Sequence, residues 1–212
     1  MNEFFIAVTK PKFFVMNEIE LQQIKRNLRQ RNIALRQNLD MGKRLSADFR
    51  INSVLIDFIL TRKNLSAIVA YVSDGAEPDL NSVMRYVLHS KIQLILPRFV
   101  SKHDYDMVHV NDLCFPVSHW GIPEPSSDAR KADEYTLEHA LWLVPGVAFD
   151  SSGYRLGRGA GVYDRLLSKW DVSSIGIYYE FQRYDKLPVE STDRPTKFIA
   201  TELGIFETHP HL

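Results

Sequence analysis

Between residues 157 and 161 glycine stands at every other position, Gly157, Gly159 and Gly161, with Arg155, Arg158 and Arg165 around them. Glycine accepts positive φ and carries no Cβ, so such a run can aim successive backbone N–H groups into one concavity that suits an anion. The apolar run 141–149 reads as a buried strand feeding this loop, and residues 162–170 read as a helix leaving it, whose N-terminal dipole would add to the attraction for phosphate. A strand, a glycine turn and a helix in that order constrain the chain to an α/β arrangement. The competing reading is an ordinary surface loop with solvated charges. Asp150 and Asp164 bracket the loop, however, and carboxylates beside a phosphate cradle make sense mainly with a divalent cation between them.

The elements around the loop have the same rhythm. Residues 18–39 favour helix, with no Gly or Pro, and 45–60 read as a second amphipathic helix with Phe49, Val54, Leu55 and Phe58 along one side. Strands are expected at 67–72, at 92–96 with Pro97 as the stop, and at 107–110, 142–148, 174–178 and 198–201, with a helix at 81–89. This alternation predicts a mainly parallel sheet with helices on both faces, a three-layer α/β/α fold, and ligands bind at the carboxyl ends of such strands. The stretch 123–134 reads as a surface excursion. At 212 residues the chain fits one domain, here 16–208, with a dispensable extension at 1–15, Met16 as an alternative start, and a tail at 209–212.

The formal net charge is zero, so no global field favours nucleic acid or an acidic membrane, and any anion site has to be built locally. No apolar stretch approaches the roughly 20 residues of a membrane helix. The segment 1–15 has the wrong layout for a secretory signal. A single cysteine excludes an intrachain disulfide and fits a reducing, cytoplasmic compartment; Cys114, between Leu113 and Phe115, is expected to be a small buried filler.

Lys25 and Arg29, four apart on the first helix, project from one face. Asp74, Glu77 and Asp79 cluster after the first strand, where they could either serve a ligand or decorate a helix N-terminus. Trp120 sits in a Pro-punctuated loop and could wall a flat ligand or join the core. The histidines lack metal-ligand spacing, and neither a Gly-x-Ser-x-Gly elbow nor a Walker-type loop is present.

In order and spacing these pieces resemble the 5-formyltetrahydrofolate cyclo-ligase family. The resemblance runs through Lys25 to Arg29, Glu77-Pro78-Asp79, Pro97-Arg98, Ile122 to Pro125, the long stretch Leu143 to Asp164, Gln182, Leu187-Pro188 and Asp193. It implies an enzyme that cyclises 5-formyltetrahydrofolate to 5,10-methenyltetrahydrofolate, with ATP as co-substrate and Mg²⁺ as cofactor, acting as a monomer. Lys25 and Arg29 would then grip ATP phosphates, and Arg155, Gly157, Arg158, Gly159, Ala160 and Gly161 would wrap the triphosphate, with Tyr163 also at the nucleotide and Arg29 and Arg158 contacting the reacting groups. Asp164 and Asp193 would hold the metal. Glu77 and Asp79 would meet the pterin, with Trp120, Tyr163 and the residue at 162 along the ring. Two positions depart from the family pattern: Val162 stands where tyrosine is usual, and Ala160 where glycine or lysine is. Folate affinity is the property these departures touch, which leaves a catalytically silent or divergent nucleotide-binding relative as the alternative. A sugar-phosphate isomerase of similar architecture is a third reading.

Overall fold

A computed structural model describes residues 17–101, 104–117 and 123–209, so the expectations for 1–15, for Trp120 and for 210–212 lie outside the described residues. In chain order the elements are α1 (Glu18–Gln37), α2 (Met41–Leu60), β1 (Ala67–Val69), α3 (Asn81–Leu88), β2 (Gln93–Ser101), β3 (Asp104–Val110), α4 (Glu134–His139) and β4 (Leu141–Pro145). There follow β5 (Ala148–Asp150), β6 (Arg155–Leu156), α5 (Val162–Leu167), β7 (Ser173–Ile177), β8 (Arg183–Tyr184), β9 (Phe198–Thr201) and β10 (Gly204–Glu207).

Seven strands form one sheet in the order β10-β9-β7-β4-β1-β2-β3. The five central strands are parallel and the two edge strands antiparallel. Ile51, Leu55 and Ile59 of α2 and Val83 and Val87 of α3 bury one face, against Ile68, Leu94 and Leu143. Leu137 of α4 and Leu166 and Leu167 of α5 bury the other, against Val69, Trp142 and Val144. Parallel strands buried on both faces account for the uninterrupted apolar runs, and the three-layer α/β/α fold is as expected.

Several local expectations change. Pro97 does not stop β2, which continues to Ser101 paired with β3. Gln93 N and Ile95 O bond towards the β1 side, so the alternation puts Pro97's missing N–H on that side too, beyond the point where β1 has ended. The run 141–149 is not one strand: it breaks at Gly146, where an added Cβ would stand 2.6 Å from Tyr178 Cε1. Leu55 is buried and Phe58 packs against the core as expected, but Phe49 is exposed, and Ala47, Ile51 and Ile59 complete the buried face of α2. Cys114 is exposed as well, because Leu113 and Phe115 on either side pack against the core and turn the residue between them outward.

The first helix is inverted relative to an ordinary amphipathic one. A capping box closes its start, with Glu20 N donating to Asn17 Oδ1 at 2.9 Å and Asn17 N to Glu20 Oε2 at 3.2 Å. Its buried residues are Lys25, Asn32 and Arg36, whereas Ile19, Ile24 and Leu35 are exposed. Leu28 packs on the second, three-stranded sheet, β6-β5-β8, which carries the glycine loop. Polar side chains buried on a helix need partners, and those partners make the site.

Candidate active site

The glycine loop hangs between β6 and α5. Antiparallel pairing of Phe149 with Arg155 sets its entry, and Asp150 fixes the turn before it. Asp150 Oδ1 accepts from Ser152 N at 3.0 Å and Tyr154 N at 3.2 Å, and its Oδ2 accepts from Leu187 N at 2.9 Å. Buried and bonded through both oxygens, Asp150 is a structural acid and not the metal-facing partner of Asp164 that the sequence suggested. Gly159 and Gly161 take φ of 110° and 62°, left-handed values that glycine adopts without strain.

Two cavities flank the loop and divide its residues between them. Gly157, Gly159 and Gly161 line a cavity of about 430 Å³ together with Lys25, Arg29 and Asp193. Arg158, Ala160 and Val162 instead line a second cavity of about 280 Å³. Arg155, Gly157, Gly161 and Asp164 belong to both, so they form the common wall. Arg158 and Ala160, expected at the triphosphate, line only the second of these cavities, on either side of the left-handed turn at Gly159.

The larger cavity is polar and held by ion pairs. Arg29 Nε donates to Gly157 O at 2.8 Å, which ties α1 to the glycine loop across 128 positions of sequence. Burial pulls the Arg29 guanidinium below its ordinary range, against the raising influence of Asp193 and Glu190, and leaves it a cation. Lys25, only 3% exposed, reaches Glu190 Oε2 and Asp193 Oδ2, each at 2.7 Å. An ammonium has three donors, so one remains for a ligand. On the common wall Arg155 Nη2 meets Asp164 Oδ1 at 2.8 Å and Nη1 donates to Arg194 O, while Arg194 N donates to Asp164 Oδ1 at 3.0 Å.

The smaller cavity is lined more by rings and acids, among them Tyr71, Glu77, Asp74, Tyr105, Val162 and Tyr163. Arg158 Nη2 pairs with Asp74 Oδ2, and Arg158 Nε lies 3.5 Å from Glu77 Oε1. Burial raises the Glu77 carboxyl, and Arg36 acts in the opposite direction. Burial also raises the Tyr71 and Tyr163 phenols, which stay protonated and able to donate. Asp79 does not line this cavity: its Oδ1 accepts from Asn81 N at 2.7 Å and its Oδ2 from Asn81 Nδ2 at 2.8 Å, a local turn at the start of α3. Asp74, from the same acidic cluster, does line it.

Sequence reading overlooked Asp74's contact, the Glu190 partner of Lys25, and Arg36. The signal was present as spacing. Residues 25, 29, 32 and 36 recur at helical intervals and are all polar, which is the pattern of a core-facing stripe written in the wrong chemistry.

With this geometry in view, comparison with known proteins is direct. The 5-formyltetrahydrofolate cyclo-ligase family matches residues 21–202. The 5-formyltetrahydrofolate cyclo-ligase of Haemophilus influenzae is 27% identical over 186 residues, 85% of this chain and 96% of that one. The cyclo-ligase of Escherichia coli K12 is 37% identical over a shorter stretch, 41% of this chain and 48% of its own length. The solved structure of Aquifex aeolicus 5,10-methenyltetrahydrofolate synthetase superposes with a TM-score of 0.75 at 29% identity, covering 89% of this chain and 95% of that one. Because the family match takes in α1, both cavities and the loop between them, the chain belongs to the 5-formyltetrahydrofolate cyclo-ligase family.

Proposed function

We propose that this protein cyclises 5-formyltetrahydrofolate to 5,10-methenyltetrahydrofolate, with ATP converted to ADP and phosphate. The observation that carries the reading is the shared wall: a cationic cavity fit for a triphosphate and a ring-lined cavity fit for a pterin meet at Arg155, Gly157, Gly161 and Asp164. Two substrates whose reacting ends meet at that shared edge can exchange a group there.

The reaction needs activation first. A formyl oxygen is a poor leaving group, so it attacks the γ-phosphorus of ATP, the bond from that phosphorus to the bridging oxygen breaks, and ADP leaves. N10 then attacks the formyl carbon, loses its proton, and the carbon–oxygen bond breaks to release phosphate. Phosphoryl transfer asks chiefly for positioning and charge stabilisation. Arg29 and the third donor of Lys25 would hold the triphosphate, backbone N–H groups of the glycine loop would face the transferring oxygens, and Arg158 would approach from the folate side. Glu77 and Asp74 would accept from the N–H edge of the pterin, with Tyr163 along its ring.

Asp164 and Asp193 fit a divalent cation. Both line the triphosphate cavity, and the hydrogen bonds described for them fall on one oxygen each, Asp164 Oδ1 and Asp193 Oδ2. Magnesium typically takes one or two carboxylates plus phosphate oxygens, and there it would neutralise charge on the triphosphate. The reading also takes the protein as a monomer of the cytoplasm. Incubation with ATP, Mg²⁺ and 5-formyltetrahydrofolate is the test: growth of the methenyl absorbance with matching phosphate release is expected. ATP binding without either signal would point to the silent relative, and phosphate-sugar turnover without ATP to an isomerase.

A further inference from the structure

Arg36 carries the deepest positive charge among the described residues. It is 0% exposed on the inward face of α1, yet its only described hydrogen bond runs from Nη1 to Gly146 O at 3.3 Å. Nε and Nη2 have no hydrogen-bond partner. Its opposite charges stand just beyond bonding distance, with Nη2 at 3.9 Å from Asp74 Oδ2 and Nη1 at 3.8 Å from Glu77 Oε1. Those are the same two oxygens that Arg158, 49% exposed, addresses from the cavity side. Two carboxylates thus lie between two guanidinium groups, one sealed behind the wall and one at the surface of the cavity.

A ligand that offers N–H donors to Glu77 Oε1 competes there with Arg158, which stands 3.5 Å from that oxygen. Once Arg158 leaves, Arg36 is the positive charge that stays. A buried guanidinium is expensive to desolvate, and nothing else in its surroundings repays that cost as fully as two ionised carboxylates would. We propose that Arg36, which lines neither cavity, is a positioning residue for the folate side: it holds Glu77 as a charged acceptor for the N–H edge of the flat ring and so sets substrate affinity there. The proposal rests on the folate reading of that cavity.

The charged and titratable groups around Glu77 come from four parts of the chain. They are Arg36 of α1, Asp74 of the same loop, Arg158 of the glycine loop, Tyr71 after β1 and Tyr163 of α5; Arg44 of α2 and Tyr179 after β7 face Arg36 itself. Both tyrosines near Glu77 are raised by burial and stay neutral, so the charged groups facing Glu77 are the two arginines and Asp74.

The experiment compares wild type, Arg36→Met and Arg36→Lys, first without substrate, following the Glu77 carboxyl by ¹³C NMR as pH is varied. The Met variant should raise its midpoint by about one pH unit or more, as loss of a cation within a few ångströms does, and Lys should bring it back towards wild type. In turnover, the acid limb of the dependence of folate KM on pH should move up with that midpoint while ATP affinity stays unchanged. A folded Arg36→Met protein with an unmoved Glu77 midpoint overturns the proposal. Should the Met variant not fold, Arg36→Gln, which keeps a donor for Gly146 and loses only the charge, gives the same readout. Failure of wild type to cyclise 5-formyltetrahydrofolate would refute the functional reading alone, since the Glu77 titration uses no substrate.

Discussion

Arg155 and Asp164, at the two ends of the glycine loop, meet at 2.8 Å with the arginine side chain only 2% exposed. This pair clamps the loop and forms part of the wall between the cavities. Asp164→Asn keeps an acceptor for Arg194 N but removes the charge from a buried guanidinium. Breaking one side of a buried pair costs roughly 3 kcal/mol or more, which for a chain of this size lowers the melting temperature by about 6–12 °C. The same variant should raise the Mg²⁺ concentration needed for half-maximal turnover. A melt within error of wild type, or an unchanged metal titration, would remove Asp164 from the respective role.

Lys25 and Arg29 lie one turn apart and do different work. Arg29 bonds the loop that, on the proposed function, would face the transferring phosphoryl group, so Arg29→Ala should lower kcat by about 10²–10³, as loss of one transition-state donor does. Lys25 is tied to Glu190 and Asp193 and on the same reading would serve the bound nucleotide as a whole, so Lys25→Met should mainly raise KM for ATP. Steady-state kinetics with ATP as the varied substrate separates the two. Equal losses in kcat for both variants would contradict this division.

How much of this was legible beforehand follows from the kind of signal each residue gives. The parallel sheet could be read because strands buried on both faces are apolar throughout, as in 67–69 and 141–145. The glycine loop could be read because its spacing is itself the chemistry. The sides of the loop could not: that Arg158 faces Asp74 while Gly159 faces Arg29 depends on the left-handed turn at Gly159, which fixes direction only in three dimensions. Asp79 and Asp74 look equivalent in sequence, and only the local turn onto Asn81 removes one of them. Arg36 was passed over because a charged residue on a helix is usually solvated, and the carbonyl it reaches, Gly146 O, lies 110 positions away.

Stability should depend on pH through Asp48. This carboxyl is buried, and desolvation raises it above the ordinary aspartate range despite hydrogen bonds from Tyr179 Oη at 2.8 Å and Asp79 N at 3.2 Å. A carboxyl raised in the folded state binds its proton more tightly there than in the unfolded chain. Stability is therefore lost as pH rises from the unfolded value of about 3.9 through the folded one, and then stays level. Both bonds fall on Oδ1, so Asp48→Asn can keep them while removing the charge. Its stability relative to wild type should be higher at neutral pH than below about pH 4. Urea unfolding at the two pH values checks this, and an equal difference at both would show that Asp48 carries no burial penalty.

Val162, the first residue of α5, lines the smaller cavity, so the family tyrosine missing at this position is missing from the folate side. Tyr163 beside it also lines that cavity, and a second ring at 162 would add face or edge contact to a flat ligand. An aromatic pair contributes about 0.5–1.5 kcal/mol beyond the area it buries, so Val162→Tyr should lower KM for 5-formyltetrahydrofolate by about 2- to 12-fold. On the proposed assignment ATP would sit across the common wall, in the cavity that Val162 does not line, and its KM should not move. The opposite pattern, an altered ATP KM with the folate KM unchanged, would mean that the two substrates occupy the cavities the other way round. The measurement therefore tests the assignment of the two sides as well as the role of one residue.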